Sequence, residues 1–159
     1  MNPRVLAFWR EYLATLGEHH AHRRLTPEVF AFGDTPQMAD ELAALVLAGV
    51  KRATASLAIE FTAVGEPLPG AGDVCIVLRG DGGPAAVIER TEVAQVPFGE
   101  VDAAFAAREG EDDGSLATWR ANHQDYFTRV CARLGGAFDE RTPVLCQHLE
   151  VIWREALVR

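Results

Sequence analysis

The stretch Gly49-Val50-Lys51-Arg52-Ala53-Thr54-Ala55-Ser56 decides how the rest of the chain is read. An apolar helical run precedes it, and Gly49 ends that run as a glycine cap does. A lysine and a hydroxyl then stand three residues apart among small residues. A lysine in such a turn lies close to backbone, and partial desolvation lowers its pKa and makes it reactive. Thr54 is a candidate nucleophile or phosphate donor. A plainer reading is open too, with Lys51 and Arg52 solvated and Thr54 opening a strand. A Lys-x-x-Thr pair alone is a weak signal.

Towards the N-terminus, Asp34-Thr35-Pro36 reads as a helix start, a capping side chain followed by proline in the first turn. Met38, Leu42, Leu45 and Val46 form the predicted apolar stripe of that helix. Residues 26–32 read as a short extended segment with Gly33 as a break. The run from Glu18 to Arg24 holds three histidines without periodicity, so a solvated connector is preferred over a metal site. Asn2 and Pro3 predict a first helix ending at Gly17, whose Val5, Phe8, Trp9, Tyr12, Leu13 and Leu16 pack on the core.

Towards the C-terminus, Ser56 is read as the cap of a short helix over 57–64, although Ile59 and Phe61 also suit a strand. Residues 65–73 are a loop by composition. Residues 74–79 are a strand, 80–83 a hairpin turn, and a returning strand runs from Pro84 through Val93 and Val96. Glu89 is read as pointing outward. A short helix fits 101–108. Residues 109–114 form an acidic loop, read as solvated, with a divalent-ion site as the alternative. Ser115 caps a long helix to Leu134, striped by Leu116, Trp119, His123, Phe127, Val130 and Leu134, with His123 half-buried. The last strand covers 143–153. Helices first, then strands, a helix and a strand predict one α+β domain with a small, curved, mixed or antiparallel sheet.

The chain has 159 residues, 48% hydrophobic and 24% charged, which fits one soluble domain with a sizeable core. No apolar run is long enough for a membrane span, and the start is not that of a signal peptide, so a cytoplasmic location is expected. Cys75, Cys131 and Cys146 are too scattered for a zinc site and read as buried thiols. The net charge of −8 argues against duplex DNA as a partner. A local cleft for a nucleoside or a short single strand stays open.

The chain resembles the ASCH domain family, relatives of the PUA-like β-barrels, in its longer bacterial members. The resemblance rests on Gly49-Val50-Lys51-Arg52-Ala53-Thr54, on the Pro69 to Asp73 loop and on Val87-Ile88-Glu89-Arg90-Thr91-Glu92-Val93. It continues through Val96-Pro97-Phe98, Glu109-Gly110-Glu111, Ser115-Leu116, Trp119-Arg120 and His123. It implies a small mixed β-barrel flanked by helices, residues 27–159 as the ASCH unit, and residues 1–26 as a helix and connector packed on it. It also implies a partner that is RNA, a nucleoside or a nucleotide. One branch of the family deacylates acetylated cytidine with a threonine, a lysine and a glutamate. By motif these fall on Thr54, Lys51 and Glu109, as candidate catalytic residues. Arg52, Ser56, Glu111, Trp119 and His123 are candidate substrate contacts, with Trp119 stacking on a base. Other members are described as metal-dependent ribonucleases, which implies manganese or magnesium as a possible cofactor. The resulting expectation is a small hydrolase on RNA or a modified nucleoside, with a non-catalytic RNA- or nucleotide-binding module as the alternative. A neutral Lys51 would act as a base, and a charged one would hold a phosphate or an oxyanion.

Overall fold

The computed structural model describes residues 1–156; residues 157–159, the end of the predicted 27–159 unit, lie outside the described residues. Helix α1 (Pro3–Ala14) starts where Asn2 accepts from the Val5 amide, with proline in the first turn. It ends at Thr15 rather than Gly17, because the Thr15 amide and hydroxyl both turn back on the last carbonyls. The histidine connector is solvated, as expected, with only His22 half-buried, but it carries local structure. His20 caps a 3-10 turn, Ala21–Arg24, and His22 Nδ1 lies 2.7 Å from the Tyr12 hydroxyl.

Five strands follow: β1 (Glu28–Ala31), β2 (Ala53–Leu57), β3 (Val74–Leu78), β4 (Pro84–Pro97) and β5 (Pro143–Trp153). They form one mixed sheet in the order β1-β3-β4-β5-β2. Only the β1–β3 pair is parallel; the other three pairs are antiparallel. The sheet curls into a half-barrel flanked by helices, the α+β PUA-like architecture. The long strand β4 serves two partners, and its register with β5 slips at Val87/Ile88 and at Arg90/Glu92. Such bulges bend a strand and raise its twist.

Alternation along β3 and β4 sends side chains to both faces, and both faces are covered. Val74, Ile76 and Val87 meet Val5, Phe8, Trp9 and Tyr12 of α1. Cys75, Val77, Ala86 and Ile88 meet helix α2 (Pro36–Leu47) through Ala43 and Val46. Each fully buried valine, isoleucine or phenylalanine among them contributes about 1.5–3 kcal/mol. The buried stripe of α2 is Ala39, Ala43 and Val46, not one led by Met38, which is exposed. The alanines bring the helix close to the sheet and leave Met38 at its edge.

Ser56 does not cap a helix. It lies within β2, and the short α3 (Ile59–Thr62) begins without a side-chain cap. At the other end of the sheet, Ala53, Leu57, Val144 and Cys146 pack with Phe105 of α4 (Ala103–Glu109) and Trp119, Phe127 and Val130 of α5 (Leu116–Arg133). Asp102 and Ser115 cap these two helices. The three cysteines are free and buried, and no described helix is long and apolar enough to cross a membrane.

Candidate functional site

The curled sheet leaves its two edge strands, β1 and β2, facing one cavity of about 510 Å³. Phe30 and Phe32 line it from the β1 side, Thr54 and Ser56 from β2, and His123 and Tyr126 from α5. In β2, Ala53 and Leu57 point into the core, so Thr54 and Ser56 take the cavity side.

Lys51 lies behind this cavity, almost fully buried, and all three of its ammonium hydrogens are accounted for. Nζ donates to the Ala53 carbonyl at 2.9 Å, to Glu109 Oε2 at 2.8 Å and to Glu111 Oε1 at 2.8 Å. The Phe32 ring lies 5.1 Å away, within cation–π range.

Gly110 explains how two glutamates two residues apart reach one nitrogen. It ends α4 in the left-handed region, φ 63°. A Cβ there would stand 2.2 Å from the Val50 carbonyl oxygen. Only glycine allows the acidic turn to press against the Gly49-Val50 backbone, and the Arg52 amide seals the contact by donating to the Arg108 carbonyl. The expected solvated loop is therefore half wrong: Glu109 is buried and Glu111 is partly so, because each has the ammonium as partner.

The remaining lone pairs of Glu109 are also engaged. The Trp119 indole donates to Oε1 at 3.0 Å, and His123 Nε2 lies 3.4 Å from the same oxygen. His123 Nδ1 lies 2.8 Å from the Trp119 carbonyl, which can only accept, so Nδ1 carries a proton.

These contacts fix the charges. Burial pushes Glu109 up, but the Lys51 ammonium and His123 outweigh it and bring the carboxyl down to about 2. Burial pushes Glu111 up, the shared ammonium offsets this only in part, and the Glu109 charge adds to the rise, so Glu111 ends above the usual carboxylate range. Burial lowers Lys51, and the two carboxylates more than reverse it. Burial lowers His123 likewise, and Glu109 raises it past its ordinary value. Of the two roles open to Lys51 in the sequence, the charged one follows.

Several sequence expectations need correction. Trp119 does not stand ready for a base: it is buried, stacks on His123 with centroids 4.1 Å apart and on Phe98 at 5.6 Å, and supports Glu109. Arg52 is exposed and lines a separate groove with Val46, Gly49 and Arg154, on the far side of Lys51. Lys51 has no hydrogen left for a phosphate, and no hydrogen bond joins it to Thr54 among the described residues. Ser56, Glu111 and His123 do line the cavity beside Thr54 and Glu109.

Glu109, Glu111 and His123 bring one donor atom each within 4.8 Å of one another, the cluster a manganese or magnesium ion would use. The donor chemistry does not fit such an ion. The Lys51 ammonium already sits 2.8 Å from both carboxylates, and a proton on His123 Nε2 is favoured by the Glu109 charge. The cluster is built around an organic cation.

Two residues were overlooked in the sequence. Arg90 on β4 and Gln147 on β5 are buried, and both line the cavity floor. The available signal was a polar residue inside an apolar strand: Arg90 after Val87-Ile88, and Gln147 within Val144-Leu145-Cys146-Gln147-His148-Leu149.

A half-barrel with its cavity at the open seam, backed by a lysine turn and a Glu-Gly-Glu loop, defines a PUA-like domain. The ASCH domain family matches over residues 28–153, and the chain belongs to that family. An ASCH domain from Lactobacillus crispatus JV V101 superposes with TM-score 0.90 at 32% identity, covering 97% of each chain. A protein from Enterococcus faecalis V583 superposes with TM-score 0.84 at 32% identity, covering 96% of this chain and 90% of that one. No curated protein matches the sequence. ASCH domains are generally RNA-binding.

Proposed function

We propose that the protein is a small hydrolase that removes an acyl group from the amino group of a neutral, modified nucleoside held in the cavity. The observation that carries this is the state of the cations around the cavity. Lys51 is held by Glu109 and Glu111, Arg90 by Glu28 and Asp73, and Arg129 by Asp34 and Asp125. Each is already neutralised, which disfavours a phosphate as the bound group. A volume of about 510 Å³ with Phe30, Phe32 and Tyr126 in its walls suits a nucleoside.

In this reading the two carboxylates divide their work because their pKa values are pushed apart. Glu109 stays ionised and holds Lys51 and His123 in place. Glu111 moves the proton. Thr54 Oγ attacks the acyl carbon and its proton passes to Glu111; the C–N bond breaks and Glu111 protonates the leaving amine. Water then cleaves the threonine ester, releases the carboxylic acid and restores the hydroxyl. Lys51 acts as a fixed charge, not as the base, and no divalent ion takes part.

The test is release of cytidine from N4-acetylated cytidine by the purified protein, followed by chromatography with and without EDTA. Release that persists in EDTA and is lost in Thr54→Ala and Glu111→Gln supports the proposal. No release, or release unchanged in Thr54→Ala, defeats it.

One observation favours the binding-module reading: among the described residues, Thr54 has no hydrogen bond that would activate it. There an unpaired RNA base enters the same cavity with its phosphates outside. It predicts binding of single-stranded RNA without turnover, lost when the cavity is filled by Ser56→Phe.

A further inference from the structure

The cavity floor carries a chain of hydrogen bonds that the proposed reaction does not use. Arg90 Nε donates to Gln147 Oε1 at 2.6 Å, and Gln147 Nε2 donates to Ser56 Oγ at 2.7 Å. All three residues line the cavity, and Arg90 and Gln147 are 3% and 1% exposed. A guanidinium has donors only, so it fixes the amide: the oxygen faces Arg90 and the nitrogen faces Ser56. Ser56 Oγ accepts that bond, and its own proton has no acceptor among the described residues. Neither has the second Nε2 hydrogen of Gln147. Arg90 Nη1 adds to the set. It lies 2.7 Å from Glu28 Oε2 as an ion pair, yet no aligned hydrogen bond satisfies it. The unfilled hydrogens on this floor, on Ser56 Oγ, Gln147 Nε2 and Arg90 Nη1, outnumber the one acceptor site Ser56 Oγ keeps, its second lone pair.

We infer that the Arg90–Gln147–Ser56 relay is a donor-rich ledge that selects the ligand. It takes a neutral planar heterocycle that presents two adjacent acceptors, a ring nitrogen beside a carbonyl oxygen. It disfavours a ring with an N–H at that nitrogen, because that hydrogen would face the Gln147 amide and Arg90 hydrogens, which can only donate, and would leave buried donors unpaired. The O2/N3 edge of a cytosine-type base meets this requirement, and the N3–H of uracil does not. Gln147 and Ser56 are the specificity residues, and Arg90 is a positioning residue that sets the amide's orientation. The inference rests on the reading that the cavity binds a nucleoside, and it names the edge that is read.

The experiment is a titration of the full chain with cytidine, N4-acetylated cytidine and uridine, read by calorimetry. The two cytosine-type ligands should bind at least about tenfold more tightly than uridine. In Gln147→Glu the new carboxylate accepts from both Arg90 and Ser56, so the ledge loses the Gln147 and Ser56 donors and the preference should vanish. Ser56→Ala removes one donor at a half-buried position, keeps the fold, and should cut the preference several-fold. Equal binding of uridine and cytidine overturns the ledge and leaves the cavity as a nucleoside site. Binding of none of the three overturns both. A preference unchanged in Ser56→Ala and in a folded Gln147→Glu assigns selectivity elsewhere and overturns the ledge. If Gln147→Glu does not fold, Ser56→Ala decides.

Discussion

Two buried cations flank the same cavity, and their surroundings differ in kind. Lys51 is enclosed: its partners are a carboxylate 1% exposed and another 22% exposed, and its third hydrogen goes to a carbonyl. Arg90 is equally buried, but its carboxylates, Glu28 and Asp73, are 42% and 49% exposed, and one of its nitrogens lacks an aligned partner. A closed ion cluster is costly to break, since removal of one member strands charge out of water. An open one is cushioned by solvent around its acids. Lys51 therefore acts as a keystone of the fold around the site, while Arg90 keeps bonding capacity for a ligand.

The contrast is sharpest under truncation. Lys51→Met leaves Glu109 and Glu111 facing each other without the ammonium and should lower stability by about 3–5 kcal/mol in urea unfolding. Arg90→Met should cost only about 1–2 kcal/mol, because Glu28 and Asp73 fall back on water, yet it should abolish the ligand preference. Equal costs for the two would erase the distinction between a closed and an open cluster.

Gly110→Ala tests how the closed cluster is assembled. The left-handed backbone alone makes alanine worse by about 1–3 kcal/mol, and the clash with the Val50 carbonyl adds to it. The expected signature beyond lost stability is reduced turnover, since both glutamates hang on this turn. Full activity in a destabilised Gly110→Ala protein would separate the turn from the site.

Acid titration probes the keystone without mutation. The folded-state pKa of Glu109 is depressed to about 2, below its unfolded value. Its stabilisation is present above the unfolded pKa and is lost as pH falls towards 2. The wild type should lose stability over that interval, and Glu109→Gln should flatten the loss. An identical acid profile in that variant would show that Glu109 is not the carboxylate held by Lys51.

The smallest effect has the opposite sign. Glu111 has a raised pKa, so its contribution is full below the unfolded pKa and is lost as pH rises through the folded one. Glu111→Gln should then leave stability at neutral pH unchanged or slightly higher, while turnover falls. A large loss of stability would make Glu111 a structural partner equal to Glu109.

How far the sequence carried this account depends on the element. Caps and turn residues are local, so Asn2, Thr35 and Ser115 start helices where side-chain chemistry says they should, whereas the helix read over 101–108 starts after its unread cap, Asp102. The strand from 143 to 153 was legible because Val, Ile and Leu recur along it; it does not alternate, and Val144 to Gln147 are buried in succession because both faces are covered. The pairing of Lys51 with Glu109 was suggested only by family resemblance, since the two are 58 residues apart in sequence. The protonation state of Lys51 depended on whether desolvation or the nearby carboxylates won, and the backbone at Gly110, which brings both glutamates to it, is not legible in sequence. Trp119 was misassigned for the same reason: helical periodicity shows that it faces the core, but not that its indole supports a buried acid. Gln147 and Arg90 went unread because strand alternation gives the face of a residue and not what lies over it.

The central claim is that Lys51 is a permanent, fully bonded ammonium behind the cavity. The direct test is a pH titration of its 13Cε and 15Nζ resonances by NMR, in protein labelled at lysine. The account predicts a charged amine throughout neutral pH, with slow hydrogen exchange and a midpoint above that of an ordinary lysine. A midpoint near neutrality would contradict it and return Lys51 to the role of base.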